Sequence, residues 1–151
     1  MAGVLILDML TKHVIQRTFT LHQQVDVFGD YVRLTYVHNP GAAFGFWLGP
    51  YSRGIFVALA LIALAVLAAM IASTPSRAQG RLIAIALIAA GAVGNMVDRL
   101  RSAHGVVDFV DVGIGSLRWP VFNVADMAVT AGAILLAVTL WREDEAHGAA
   151  R

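Results

Sequence analysis

The chain has 151 residues, of which 58% are hydrophobic and only 14% are charged, a composition that predicts a membrane protein rather than a soluble domain. This length favours a single domain, and eleven basic residues against ten acidic ones argue against nucleic acid as a partner. The absence of cysteine excludes disulfides, thiolate nucleophiles and cysteine-bound metals.

The first predicted element is a short apolar helix that begins MAGVLILDMLTKHVI. Only seven residues precede Asp8, so this segment is too short to span a bilayer unless it starts deep within it. Asp8 and Lys12 lie four residues apart and share one helical face, which permits an ion pair. We interpret this pair as a structural feature near the membrane interface.

A polar segment that contains a strand pattern comes next. In residues 25–37, Val32, Leu34 and Tyr36 alternate with Arg33 and Thr35, which predicts a half-buried strand. The sequence HNPG then indicates a turn at residues 38–41.

Three later segments are long and apolar enough to cross a membrane, which requires about 20 residues. They are residues 54–72, residues 82–97 running on through Asp98, and residues 121–141, which carry Asn123 and Asp126 near their start. The intervening residues 99–120 contain VVDFVDV and predict a strand or loop. The predicted fold is therefore an all-α integral membrane protein with four transmembrane helices and a small extracytoplasmic β-strand and loop region.

Polar groups at membrane depth are costly unless they are paired, so each one is a candidate functional residue. Asp126 is the strongest candidate, and Asp108 precedes the last helix by few enough residues to return near its start. Two neighbouring carboxylates share a proton, as in an aspartic protease. A proton or ion pathway and simple structural hydrogen bonding remain alternatives. For Arg99, a helix anchor and a substrate clamp are equally compatible with the spacing.

Other catalytic chemistries have less support in the sequence. The G-x-S-x-G motif is absent, and the single lysine, Lys12, has no serine nearby in the chain. The five histidines show no spacing typical of metal ligands, so no metal site is predicted.

Five motifs occur in the order found in one protein family. They are D-x-x-T-K at residues 8–12, N-x-G-A-A-F-G at 39–45, G-x-x-G-N-x-x-D-R at 91–99, V-V-D-F at 106–109 and F-N-x-A-D at 122–126. Together they resemble signal peptidase II, the family of bacterial lipoprotein signal peptidases, which are membrane aspartic proteases.

The resemblance implies a multi-pass protein of the bacterial cytoplasmic (inner) membrane, with both termini in the cytoplasm and the active site near the outer face. Its expected partners are membrane lipids and prolipoproteins, which it would cut before a cysteine that carries a diacylglyceryl group. It implies Asp108 and Asp126 as the catalytic pair and no metal or organic cofactor. Matching positions that line the family's pocket for substrate and for the inhibitor globomycin are Asn39, Asn95, Arg99 and Asn123. We assign structural polar roles to Asp8, Lys12 and Asp98.

One departure from the family concerns the first helix, because a full apolar helix usually precedes the D-x-x-T-K motif. We therefore expect residues 1–151 to form a single membrane-embedded peptidase domain whose first helix is shortened at the N-terminus. The competing hypotheses are a small proton- or ion-coupled membrane protein, and a non-enzymatic helical scaffold.

Overall fold

The computed structural model describes residues 1–41 and 48–149. Within these residues it contains four α-helices and one small antiparallel sheet. The helices are α1 (Ala2–Thr18), α2 (Ser52–Ser73), α3 (Gln79–Arg101) and α4 (Val124–Ala149), and the strands are β1 (Gln24–Phe28), β2 (Val32–Asn39), β3 (Val106–Ile114) and β4 (Leu117–Arg118).

Three of the described helices are long and apolar enough to cross a membrane: Gly49–Ser73, Gln79–Arg101 and Val124–Glu145. These agree with the three long apolar segments predicted from the sequence. Most of α2 is exposed apolar side chain, which suits a helix that contacts lipid. The 17 residues of α1 give a helix of about 26 Å, somewhat less than the hydrocarbon core of a typical bilayer.

The most extensive helix contact is between α3 and α4, and it depends on small residues. A Cβ atom at Gly132 would lie 2.8 Å from the carbonyl oxygen of Ala84, and a Cβ at Gly91 would collide with the carbonyl oxygen of Ala125. The two backbones are therefore in direct contact, which fixes the position of the first turn of α4 relative to α3.

The predicted strand at residues 25–37 is in fact a hairpin of two strands, β1 and β2. The predicted alternation also fails, because the neighbouring residues Thr35 and Tyr36 are both buried. A register shift between Leu34 and Val37, where β2 pairs with β3, explains this pattern, since a bulge reverses which face a side chain occupies.

The order of the strands in the sheet is β1-β2-β3-β4, so the predicted strand or loop before the last helix becomes a central strand, β3. A buried cluster of Ile15, Tyr36, Val107 and Phe109 joins α1 to this sheet. The last helix begins at Val124 rather than at residue 121, because Phe122 forms a bridge with Val110 of β3 instead of a helical turn.

The sheet lies at one end of the helices. At this end the start of α2 meets the end of α3, where Arg53 donates a hydrogen bond to the carbonyl of Leu100 at 3.0 Å. At the opposite end, α2 connects to α3 through residues 74–78, and Arg81 pairs with Glu143 at 3.4 Å.

Candidate active site

Asn123 binds both predicted catalytic acids and is completely buried. Its side-chain Nδ2 donates to Asp108 Oδ1 at 2.6 Å, and its backbone N–H donates to Asp126 Oδ2 at 3.1 Å. Its Oδ1 in turn accepts from the backbone N–H of Asp126 at 2.9 Å. This reciprocal pattern is a helix capping box, so the residue that starts α4 also holds Asp108 and Asp126 together.

Two further amides complete the arrangement. Asn39, at the end of β2, donates from Nδ2 to Asp108 Oδ2 at 3.1 Å. Asn95, on α3, donates from Nδ2 to Asp126 Oδ1 at 2.7 Å. Each of the four carboxylate oxygens therefore accepts an N–H, and four separate elements of the fold determine the geometry of the pair.

The electrostatic environment favours one proton on the pair. Asp108 is 2% exposed, and burial together with the nearby charge of Asp126 raises its pKa to about 7. Hydrogen bonds from Asn39 and Asn123 and the positive charge of Lys12 oppose this rise only in part. At neutral pH, Asp108 can therefore carry a proton.

The two acids lie at the polar end of a cavity of about 810 Å³. The predicted residues Asn39, Asn95 and Arg99 line the same end. The remaining wall is largely apolar and was not predicted, although part of it lies on α4 at helical spacings from Asp126. It consists of Val106, Trp119, Pro120, Val121, Phe122, Met127, Val129, Thr130, Ala131 and Ile134.

The contacts of Arg99 suit both roles predicted for it, a structural anchor and a clamp for substrate. It donates to the carbonyl oxygens of Gly41 at 2.6 Å and Asn95 at 3.2 Å, and its guanidinium lies 5.2 Å from the ring centre of Phe56. These contacts anchor the chain that follows β2. Among the described residues no acceptor reaches its buried Nε, and the side chain lines the cavity. Residues 42–45 of the N-x-G-A-A-F-G motif lie outside the described residues.

The predicted ion pair between Asp8 and Lys12 is present, with Nζ 2.8 Å from Asp8 Oδ2. Lys12 also lies 2.8 Å from Asp98 Oδ2 and donates to Asn95 Oδ1 at 3.1 Å. Asp8 Oδ1 accepts from the backbone N–H of Ala125 at 2.8 Å. This cluster, which we call the Lys12 cluster (Asp8, Lys12, Asp98 and Asn95), joins α1, α3 and α4 directly behind the acids.

Gly105 is a positioning residue that the sequence did not reveal. Its φ is +98°, and a Cβ atom there would collide with the carbonyl oxygen of Asn39. This close approach fixes the backbone of Asn39 while its side chain donates to Asp108. The HNPG turn signal covers Asn39, but no pattern in the sequence links it to residue 105.

Asp111, the other acid of VVDFVDV, takes no part in the cavity. It accepts from Thr35 Oγ1 at 3.1 Å and pairs with Arg118 at 2.7 Å. These partners assign Asp111 to the stability of the sheet.

Long apolar helices beside a cavity with two adjacent acids are the combination expected of a membrane-embedded hydrolase of the aspartic protease type. The family model of signal peptidase (SPase) II matches residues 1–142. The chain belongs to this family, and it is an aspartic-type protease of the membrane.

Relatives and solved structures agree with this assignment. The lipoprotein signal peptidase of Moorella thermoacetica is 46% identical over 134 residues, which cover 88% of this chain and 84% of the relative. That of Syntrophus aciditrophicus is 40% identical over 140 residues, covering 91% and 86%. A bacterial membrane enzyme solved by the in meso method has a TM-score of 0.87 and 31% identity, with 95% of this chain and 85% of that chain covered.

Proposed function

We propose that this protein removes signal peptides from bacterial prolipoproteins by cleaving the bond before a cysteine that carries a diacylglyceryl group. The observation that supports this proposal is the pairing of Asp108 and Asp126 through Asn123 at the polar end of an otherwise apolar cavity. A lipid-modified cysteine next to a peptide bond presents the same combination of apolar and polar groups.

In the proposed mechanism, the ionised Asp126 takes a proton from water as the water oxygen attacks the carbonyl carbon of the scissile bond. Asp108 donates its proton to the carbonyl oxygen, which gives a tetrahedral intermediate with two hydroxyl groups. Collapse breaks the C–N bond: one acid protonates the leaving nitrogen of the cysteine, and the other accepts the hydroxyl proton. No side chain needs to act as a nucleophile.

The polar residues around the pair would divide two tasks. Asn123 and Asn39 keep the carboxyls of the acids oriented, and the guanidinium of Arg99, which lines the cavity, would donate to a peptide carbonyl of the substrate. The apolar wall, from Trp119 to Ile134, would hold acyl chains or the apolar segment of the signal peptide.

For placement in the membrane, we propose a single membrane-embedded domain in the cytoplasmic membrane with four transmembrane helices, α1 included. The acids lie at the sheet end of the helices, so this end would face the outer leaflet. The opposite end, with residues 74–78 and both termini, would then face the cytoplasm. A substrate whose lipid stays in the outer leaflet would reach the acids without leaving the membrane.

The test uses purified protein in detergent and a lipobox peptide with a diacylglyceryl-modified cysteine, with and without globomycin. We expect the wild-type protein to cleave before the modified cysteine, and Asp108→Asn and Asp126→Asn to be nearly inactive. The matched control is Asp111→Asn, which removes a buried acid from the same strand and should keep most activity in the folded fraction. Robust cleavage by Asp126→Asn, or an equal loss in Asp111→Asn, would contradict the assignment.

A further inference from the structure

The orientation of the Asn95 side chain determines what Asp126 receives. An asparagine amide presents an acceptor on one side and a donor on the other, and only its partners decide which way it points. Here Nδ2 faces Asp126 Oδ1 at 2.7 Å, while Oδ1 faces Lys12 Nζ at 3.1 Å and Asn123 Nδ2 at 3.1 Å. If the Asn95 amide were rotated by half a turn, its Oδ1, which can only accept, would face the carboxylate of Asp126.

Lys12 is well suited to fix this orientation because an ammonium group can only donate. It is 3% exposed, and its three N–H bonds match three acceptors: Asp8 Oδ2, Asp98 Oδ2 and Asn95 Oδ1. The two carboxylates alone would more than neutralise the charge of Lys12, and they would already tie the helices together. The third bond goes instead to the amide that contacts Asp126.

We propose that Lys12 is a positioning residue for peptide cleavage: it holds the Asn95 amide so that Nδ2 points at Asp126. Lys12 does not line the cavity and hydrogen-bonds to neither acid, so its hydrogen-bond route to Asp126 runs through Asn95, while its charge acts on Asp108 only from a distance. This role rests on the proposed function of Asp108 and Asp126, and it goes beyond the structural ion pair that the sequence suggested.

Other charges around Asp126 cannot replace Lys12 in this role. Arg99 on α3 donates its described hydrogen bonds to the carbonyl oxygens of Gly41 and Asn95. Asp108 on β3 contacts the amides of Asn39 and Asn123 rather than that of Asn95. The acids of the Lys12 cluster, Asp8 and Asp98, are acceptors when ionised and cannot donate to Asn95 Oδ1. The only other donor to this oxygen among the described residues is Asn123, which also binds Asp108 and the carbonyl of Val107.

The experiment compares Lys12→Met, Asn95→Ala and the double variant in the lipobox peptide assay, with rates corrected for the folded fraction. We expect Lys12→Met to lower kcat by about tenfold, the loss typical of one misdirected buried hydrogen bond, with KM within about twofold of wild type. In the Asn95→Ala background, the same change should lower kcat by less than about twofold. An equal loss in both backgrounds, or a loss carried by KM, would overturn the proposal.

Lys12→Met leaves the buried Asp8 and the partly buried Asp98 without a cation, which threatens folding. Lys12→Met/Asp98→Asn removes one positive and one negative charge, and it should show the same fall in kcat while folding better. Arg118→Met is the matched control, because it removes the cation of a partly buried pair, 2.7 Å from Asp111, without touching Asn95. It should lower the melting temperature and leave kcat unchanged.

The outcomes separate this proposal from the function on which it rests. Cleavage by wild type together with inactive Asp108→Asn supports the two-acid mechanism, whatever Lys12→Met does. Full kcat in folded Lys12→Met/Asp98→Asn would return Lys12 to a purely structural role and leave that mechanism in place.

Discussion

At the scale of single residues, the two acids differ in their surroundings although each oxygen of both accepts an N–H. Asp108 is almost fully buried on β3, while Asp126 is partly exposed in the first turn of α4. Burial penalises the charged form of a carboxyl, so the proton of the pair is expected on Asp108. This asymmetry gives the two acids distinct roles in the proposed reaction.

The first prediction at this scale concerns pH. Since the pKa of Asp108 is raised to about 7, cleavage should fall as pH rises through about 7, where Asp108 loses the proton that it donates. The measurement is kcat of the purified protein against pH in detergent. A rate that stays constant from pH 6 to 9 would contradict the assignment of Asp108 as the acid.

The same shift predicts a pH-dependent stability. The pKa of Asp108 is about 7 in the folded state against the usual 3.8. Its protonated carboxyl therefore stabilises the folded state at low pH, and this contribution is lost as the pH rises from about 4 to about 7. The melting temperature should therefore fall over this interval. Asp108→Asn has no proton to lose, so its melting temperature should depend less on pH than that of the wild type. If the melting temperatures of both proteins fall equally steeply with pH, Asp108 is not the group responsible.

A separate prediction concerns Arg99, whose planar fork reaches two backbone carbonyls. Arg99→Lys keeps the charge but cannot reproduce this geometry, so we expect a lower melting temperature and a higher KM for the lipobox peptide. Thermal melting and steady-state kinetics measure the two effects. A lower melting temperature with unchanged KM and kcat would show that Arg99 only anchors the chain after β2.

At the scale of elements, the contact between α3 and α4 places Asn95 beside Asp126, and Gly94 is central to it. A Cβ at Gly94 would lie 2.6 Å from Asp8 Oδ2 and 3.2 Å from Ala125 Cβ. The residue therefore leaves room for α1 and α4 at once, next to the Lys12 cluster.

We expect Gly94→Ala to destabilise the protein by about 1–3 kcal/mol through overpacking, and to lower kcat because Asp8 must move. Gly54→Ala is the matched control, since a Cβ there has no described neighbour within 4 Å and α2 is helical at this residue. Thermal melting and the cleavage assay measure both variants. Equal stability of the two variants would contradict the packing described here.

The sequence predicted the three long helices and most of the polar residues that the structure brings together around Asp108 and Asp126, because apolar length and short motifs are local properties. It did not predict the bulge in β2, the start of α4 at Val124, or the contact of Lys12 with Asn95. These features depend on partners that are distant in the chain: Val110 binds Phe122 in a bridge, and α1 meets α3 across 83 positions. The apolar cavity wall was missed for the same reason.

At the scale of the whole molecule, the acids, the sheet and the starts of α2 and α4 share one end, and residues 74–78 lie at the other. The proposed orientation therefore makes a prediction about two exposed serines, Ser116 between β3 and β4 and Ser76 between α2 and α3. The absence of cysteine means that each can be replaced by a unique thiol.

In cells with a permeabilised outer membrane or none, a membrane-impermeant maleimide should label Ser116→Cys in intact cells. Ser76→Cys should react only after the cytoplasmic membrane is opened. Retained cleavage activity in both variants provides the folding control. Labelling of Ser76→Cys alone in intact cells would reverse the proposed orientation of the active site.

The capping box at Asn123 also has a consequence for local unfolding. Helix ends fray more easily than helix centres, and here the first turn of α4 carries Asp126 while its cap binds Asp108. When this turn opens, both acids lose a hydrogen-bond partner in the same event, although the rest of the helices stay packed. Heat should therefore inactivate the enzyme through a small, reversible opening at Asn123, at temperatures below the one that melts the helices.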